Sequence, residues 1–136
     1  MTNKEINVVW LKRDLRLRDH APLYEAAKDG SPVLLVYMFE PELAEDPHFT
    51  AQHWQFVTDS ITNLNTQLRP FNTQVWLGFD SAINVFACIH KRYKIRSLFS
   101  HLETGLLNTF ARDKAVSDWC ERNAVNWHEY AQSAVT

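Results

Sequence analysis

Hydrophobic positions fall along this chain in two patterns that take turns: short unbroken apolar runs, and longer stretches where apolar residues recur every three or four places. The first run, Ile6 to Leu11, is interrupted only by Asn7 and suits a strand. Pro22 to Lys28 then offers strong helix formers with a proline in the first turn, where its missing N–H costs nothing. Asp29-Gly30-Ser31-Pro32 should end that helix, because glycine accepts the left-handed cap conformation and proline cannot continue a helix. Val33 to Phe39 is a second continuous run, and the lack of alternation implies a strand covered on both faces, as in parallel sheets. After a polar connector, Pro41 to Phe49, the spacing of Trp54, Val57, Ile61, Leu64 and Leu68 predicts a helix from about Thr50. Thr73 to Phe79 predicts a third strand. Ser81 is a candidate N-cap for a helix with Ala82, Val85, Phe86, Ile89 and Tyr93 on one side. Ile95 to Leu102, Leu107 to Asn123 and Ala124 to Tyr130 complete the pattern as strand, helix and strand.

Five strands alternating with helices predict an α/β fold: a five-stranded parallel sheet with helices on both faces and right-handed crossovers. Periodicity does not fix the strand order. It does locate the chemistry, because open α/β sheets bind ligands outside the carboxyl ends of their strands. At the end of the first strand stand Lys12, Arg13, Asp14, Arg16, Arg18 and Asp19, with no glycine among them. A solvated surface turn is the ordinary explanation of such a charge run.

A chain of 136 residues fits one domain. Its 46% hydrophobic and 12% aromatic content is that of a packed globular protein. Fourteen basic and sixteen acidic residues leave a net charge of −2, so no whole-domain field draws in nucleic acid. The longest apolar stretch, Pro32 to Phe39, is too short to span a membrane, and the amino terminus has no signal-peptide core. Cys88 and Cys120 both lie in helical patterns, where reduced, buried thiols are expected; the chain reads as cytoplasmic.

What is missing narrows the chemistry further. With three glycines in all, there is no G-x-G-x-x-G after a strand, no phosphate-binding P-loop and no G-x-S-x-G nucleophile elbow. The six histidines and two cysteines show no metal-ligand spacing. Core packing is the expected role of all five tryptophans, with Trp54 and Trp119 on helix faces and Trp10, Trp76 and Trp127 in strands.

The opening V-V-W-L-K-R-D-L-R-L-R-D-H, Val8 to His20, closely resembles the start of the photolyase and cryptochrome family, light-driven flavoproteins that repair DNA or sense blue light. Glu40-Pro41 after the second strand, the helix from Gln52 to Leu68, the Arg112-Asp113 pair and the closing V-N-W-H-E-Y follow the same pattern, so the likeness covers nearly the whole chain. The resemblance implies strand order 3-2-1-4-5 for residues 1–136, with the topological switch point between strands 1 and 4. It places ligands over Lys12 to Asp19 on one side and His101 to Asn108 on the other, with Lys12, Arg13, Asp14, His101, Glu103 and Asn108 as candidate cofactor-binding residues. Asp14 is expected to hold a neighbouring guanidinium or a backbone N–H near the start of the next helix. At least one arginine of the opening motif is expected to face Glu103 and Asn108, or to point toward the helical domain of the parent.

In that family this domain can carry an antenna chromophore (a reduced folate, a deazaflavin or FMN), although many members carry none. The antenna passes excitation to FAD in a separate helical domain, which would lie beyond residue 136 and is absent from this chain. Asn108 matches the asparagine of folate-binding members, but Thr109 stands where their glutamate belongs and cannot reproduce a carboxylate's grip on two ring donors. Glu103, earlier in the same loop, offers a carboxylate instead. The resemblance implies the light-harvesting domain of a DNA photolyase, a carbon–carbon lyase, or of a cryptochrome, partnered by the FAD-binding helical domain of its parent. Alone, the chain is expected to be inactive, to lack FAD and to bind no duplex DNA specifically. A different class, a stand-alone nucleotide-binding module of similar topology, calls for a glycine-rich loop after strand 4, where only Gly105 stands; a non-catalytic interaction module that has lost its flavin domain is a third alternative.

Overall fold

The computed structural model describes residues 4–12, 15–17, 20–28, 30–41, 51–71, 73–102 and 107–131, with side chains at 53, 71 and 107–109 left undescribed. Strands β1 (Glu5–Leu11), β2 (Val33–Met38), β3 (Trp76–Gly78), β4 (Lys94–His101) and β5 (Asn126–Tyr130) form one sheet in the order β3-β2-β1-β4-β5. Every neighbouring pair is parallel. Helices α1 (Ala21–Ala27), α2 (Ala51–Leu68), α3 (Ala82–Arg92) and α4 (Leu107–Arg122) provide the crossovers. The expected strand order, parallel pairing and helix positions are all observed, with boundary differences of a few residues.

β1 shows why the sheet needs two layers of helices. Val8 and Trp10 enter one core cluster with Val36, Phe86, Ile89, Val116 and Trp119, whereas Val9 and Leu11 enter the other with Leu35, Tyr37, Ala26, Ile61 and Leu64. Successive side chains of a strand point to opposite faces, so a strand buried on both sides must be apolar throughout. Asn7, the exception, is buried and donates from Nδ2 to the Ala26 carbonyl at 2.9 Å, pinning β1 to the end of α1.

Local signals set the helix ends. Ser81 caps α3 by accepting from the Asn84 N–H, as its sequence position predicts. At α1 the cap is His20, whose Nδ1 accepts the Leu23 N–H at 3.1 Å, and proline occupies the first turn. Gly30 takes a positive φ of 79° two residues beyond Lys28, the C-cap of α1, and its N–H reaches the Ala27 carbonyl. Gly78 serves close packing: a Cβ there would stand 2.8 Å from Val85 Cγ2.

Three expectations need correction or refinement. Cys120 is buried but Cys88 is exposed, because its place on α3 falls between the buried positions Val85, Phe86 and Ile89. Trp76 sits on edge strand β3 and is partly exposed, unlike Trp10 and Trp119, because an edge strand has no outer neighbour to cover it. β3 itself is three residues long, shorter than the strand expected over Thr73 to Phe79.

Candidate functional site at the carboxyl ends of the strands

Alternation along β1 carries Val8, Trp10 and Lys12 onto the face covered by α3 and α4, so the ammonium of Lys12 emerges directly above the Trp10 ring. Its Nζ lies 4.3 Å from the ring centre and donates to the His101 carbonyl at the end of β4 at 3.0 Å. With 4% of its side chain exposed, Lys12 lies well beneath the surface. It ties the end of β1 to the end of β4 across the topological switch point.

A second cation enters from α4. The Arg112 guanidinium stands 4.7 Å from the same Trp10 ring and donates to Glu40 Oε1, just past β2, at 3.0 Å. Its Nε and Nη2 both reach Asp113 Oδ1 at 3.0 Å, and that oxygen lies 4.0 Å from Lys12 Nζ. Two cations and two carboxylates thus share one largely dry cluster around an aromatic face. Such charges repay their desolvation only when paired and hydrogen-bonded, which this geometry provides. Cation–π contact adds to it where the ring is desolvated.

Around this floor the site has a polar side and an apolar rim. Trp127 lies 6.0 Å from Trp10 and donates from Nε1 to the Ser100 hydroxyl at 2.9 Å. Burial pushes the Glu129 carboxyl above its usual range, Lys12 pulls it down, and Asp113 pushes it up again. On the α1 side, His20 and His101 are both buried and meet edge to face at 4.8 Å. Leu102, next after β4, and Phe110, near the start of α4, are exposed, Phe110 by 73%. Among the described residues no group of histidine, cysteine or acidic side chains converges as a metal site would require. No described helix is long and apolar enough to cross a membrane.

The candidate residues separate accordingly. Lys12 and His101 are brought together at the switch point. Arg13, Asp14 and Glu103 lie outside the described residues; Asn108 lies in the first turn of α4, with its side chain undescribed. The expected Asp14 contact therefore lies outside the described residues, and the cap observed at α1 is His20. Sequence reasoning gave no site role to Glu40, Arg112 or Asp113. Their signal was present as the Glu-Pro ending of β2 and the Arg-Asp pair, but nothing in the sequence shows that residues 72 positions apart meet.

Comparisons with known proteins agree with this architecture. The sequence profile of the family described as DNA photolyase matches residues 7–136. A cryptochrome DASH from Synechocystis sp. is 28% identical over 101 residues, covering 71% of this chain and 21% of that protein. Cryptochrome-2 of Gallus gallus is 25% identical over 92 residues, covering 68% and 16%. Among solved structures, Synechocystis cryptochrome superposes with a TM-score of 0.87 at 20% identity, over 96% of this chain and 28% of that one. The archaeal photolyase of Sulfolobus tokodaii, described with two FAD molecules and a novel light-harvesting cofactor, gives 0.81 at 21%, over 93% and 29%. The chain spans about a fifth of the length of the curated relatives it matches. With the profile matched across nearly its whole length and the sheet in the expected order, this chain belongs to the DNA photolyase family and corresponds to its amino-terminal α/β domain.

Proposed function

We propose that this domain serves a light-driven flavoprotein, either a DNA photolyase or a blue-light sensor, as its antenna module and as the scaffold for an FAD-binding helical domain. It acts in the cytoplasm, and the catalytic FAD belongs to the parent rather than to these residues. The observation that carries the reading is the charge-balanced cluster around Trp10 at the ends of β1 and β4, with exposed apolar side chains on the neighbouring residues. Lys12, Arg112, Glu40 and Asp113 hold one another, so the floor is charge-balanced and fixed before any ligand arrives. Leu102 and Phe110 expose apolar surface beside it. A planar heteroaromatic ring with polar edges suits such a place, since pockets for such groups are largely apolar with a few placed polar groups. An antenna chromophore supplies light absorption there, and Lys12, Arg13, Asp14, His101, Glu103 and Asn108 are the residues proposed to hold it.

In this arrangement Lys12 acts mainly by position. Its ammonium is committed to the His101 carbonyl and the Trp10 face, so it fixes the end of β4 rather than reaching outward. A flavin or deazaflavin fits better than a reduced folate, because Thr109 replaces the glutamate of folate-binding members. Equilibrium dialysis of the purified chain against FMN, a deazaflavin and methenyltetrahydrofolate tests this. The expected result is one equivalent of a flavin-type chromophore with weaker folate uptake. No uptake of any of the three by the folded chain below about 100 µM, some 5.5 kcal/mol, would overturn the antenna assignment.

A further inference from the structure

The surroundings of Trp10 exceed what packing asks of a buried ring. Trp10 is 1% exposed, yet two cations are set against it. Lys12 Nζ stands 4.3 Å from the ring centre and the Arg112 guanidinium 4.7 Å. Pairing with Glu40 and Asp113 does not require either cation to lie on an indole. Trp10 is also the middle member of a run of rings. Trp127 lies 6.0 Å away, Phe86 meets Trp10 edge to face at 5.2 Å, and Phe86 in turn stacks on Trp119 at 5.9 Å. Among the described residues, cations face the rings of Trp10, Trp127 and Tyr24, and none faces Trp119.

Indole gives up one electron more readily than the phenyl and imidazole rings around it, and an excited flavin-type chromophore is a one-electron oxidant. Transfer between them moves one electron from the indole into the chromophore. It leaves an indole radical cation and a chromophore radical anion, with no bond made or broken, and it discards the excitation. A cation on the π face is attracted to the neutral ring. Once the ring is itself positive, the same cation repels it, and burial leaves little water to screen that repulsion. Glu40 and Asp113 act in the opposite sense, so the balance is one of distance, and the cations sit directly against the ring.

We infer that Lys12 and Arg112 protect Trp10 from one-electron oxidation, so that an excited flavin-type chromophore at the strand ends keeps its excitation rather than taking an electron from Trp10. The purpose of this protection rests on the antenna reading, whereas the protection itself is a property of the chain's own residues. Trp119, in contact with the same Phe86 but facing no described cation, is the internal control.

Cys88 permits a test that needs no chromophore. It is exposed on α3, two residues from Phe86, whereas Cys120 is buried, so a ruthenium tris-bipyridine label attaches at Cys88 alone. Flash–quench oxidation of the label draws an electron from the rings packed on Phe86, and transient absorption reads the indole radical. With both cations in place the radical should form at Trp119, so Trp10→Phe should lower its yield by less than about a fifth. In Lys12→Met the share of the yield lost on adding Trp10→Phe should be at least about threefold larger. Lys12→Arg, which keeps the charge, should behave as the unmodified chain does. A larger Trp10 share in the unmodified chain, or a smaller rise in Lys12→Met, overturns the proposal, and the first comparison decides it even if Lys12→Met does not fold. In chain loaded with FMN, Lys12→Met should also shorten the flavin's fluorescence lifetime at least about twofold, and Trp10→Phe should restore it; an unchanged lifetime overturns the proposal as well. Failure to take up FMN counts against the antenna reading, while the Cys88 measurement still decides this one.

Discussion

Replacing Arg112 with methionine removes the guanidinium that joins Glu40 to Asp113 while keeping most of the stem that packs on Trp10. The Glu40 side chain is 5% exposed, so losing this partner leaves a buried carboxylate short of compensation. Breaking a buried pair from one side costs about 3–5 kcal/mol. Asp113 keeps Lys12 at 4.0 Å, which argues for the lower end, about 3 kcal/mol. For a domain of this size that lowers Tm by roughly 10 °C. Urea unfolding followed by tryptophan fluorescence gives the value, and Trp10 reports on the cluster itself. The double variant Glu40→Met/Arg112→Met should recover at least half of the loss, because a buried ion pair exchanged for apolar groups is close to neutral. If Arg112→Met costs less than about 1 kcal/mol, the cluster behaves as a solvated surface pair and the rigid-floor argument fails.

Lys12→Met should push the Glu129 carboxyl still higher, since burial already raises it and Lys12 opposes that; carbon-detected NMR titration reads the shift, and a fall would contradict the placement. Gly78→Ala should cost about 1–3 kcal/mol by overpacking against Val85, and Val85→Ala in the same chain should recover part of it in the same urea assay. Under native conditions near pH 8 a thiol reagent should titrate Cys88 quickly and Cys120 only after unfolding, because burial pushes the Cys120 thiol up to about 11. With that pKa raised in the folded state, the thiol's contribution to stability is full below about pH 9 and is lost as pH climbs towards 11; constant stability across that window would count against its burial.

The sheet was legible because β1 and β2 are apolar on both faces and the α2 and α3 stripes keep a helical period, signals that need no knowledge of distant residues. Strand order was not legible from residues alone; it entered through the resemblance carried by Val8 to His20. The site was legible only at its two strand ends. Lys12 and His101 stand next to apolar runs and so could be placed, but the pairing of Glu40 with Arg112 depends on how a loop past β2 meets a helix past β4. Hydrophobic periodicity says nothing of that meeting. Trp76 and Cys88 were misplaced for a related reason: edge position and helix rotation decide burial there, and residue type does not.

Amide-detected NMR of the labelled chain, with FMN added in steps, tests most directly whether the carboxyl-end cluster is the chromophore site. The account predicts saturable shifts at Lys12, His101, Leu102 and Phe110 to Asp113, with the β3 edge and residues 91–96 unmoved. Shifts that gather anywhere else on the folded chain, or none up to millimolar FMN and none with a deazaflavin in its place, would contradict it.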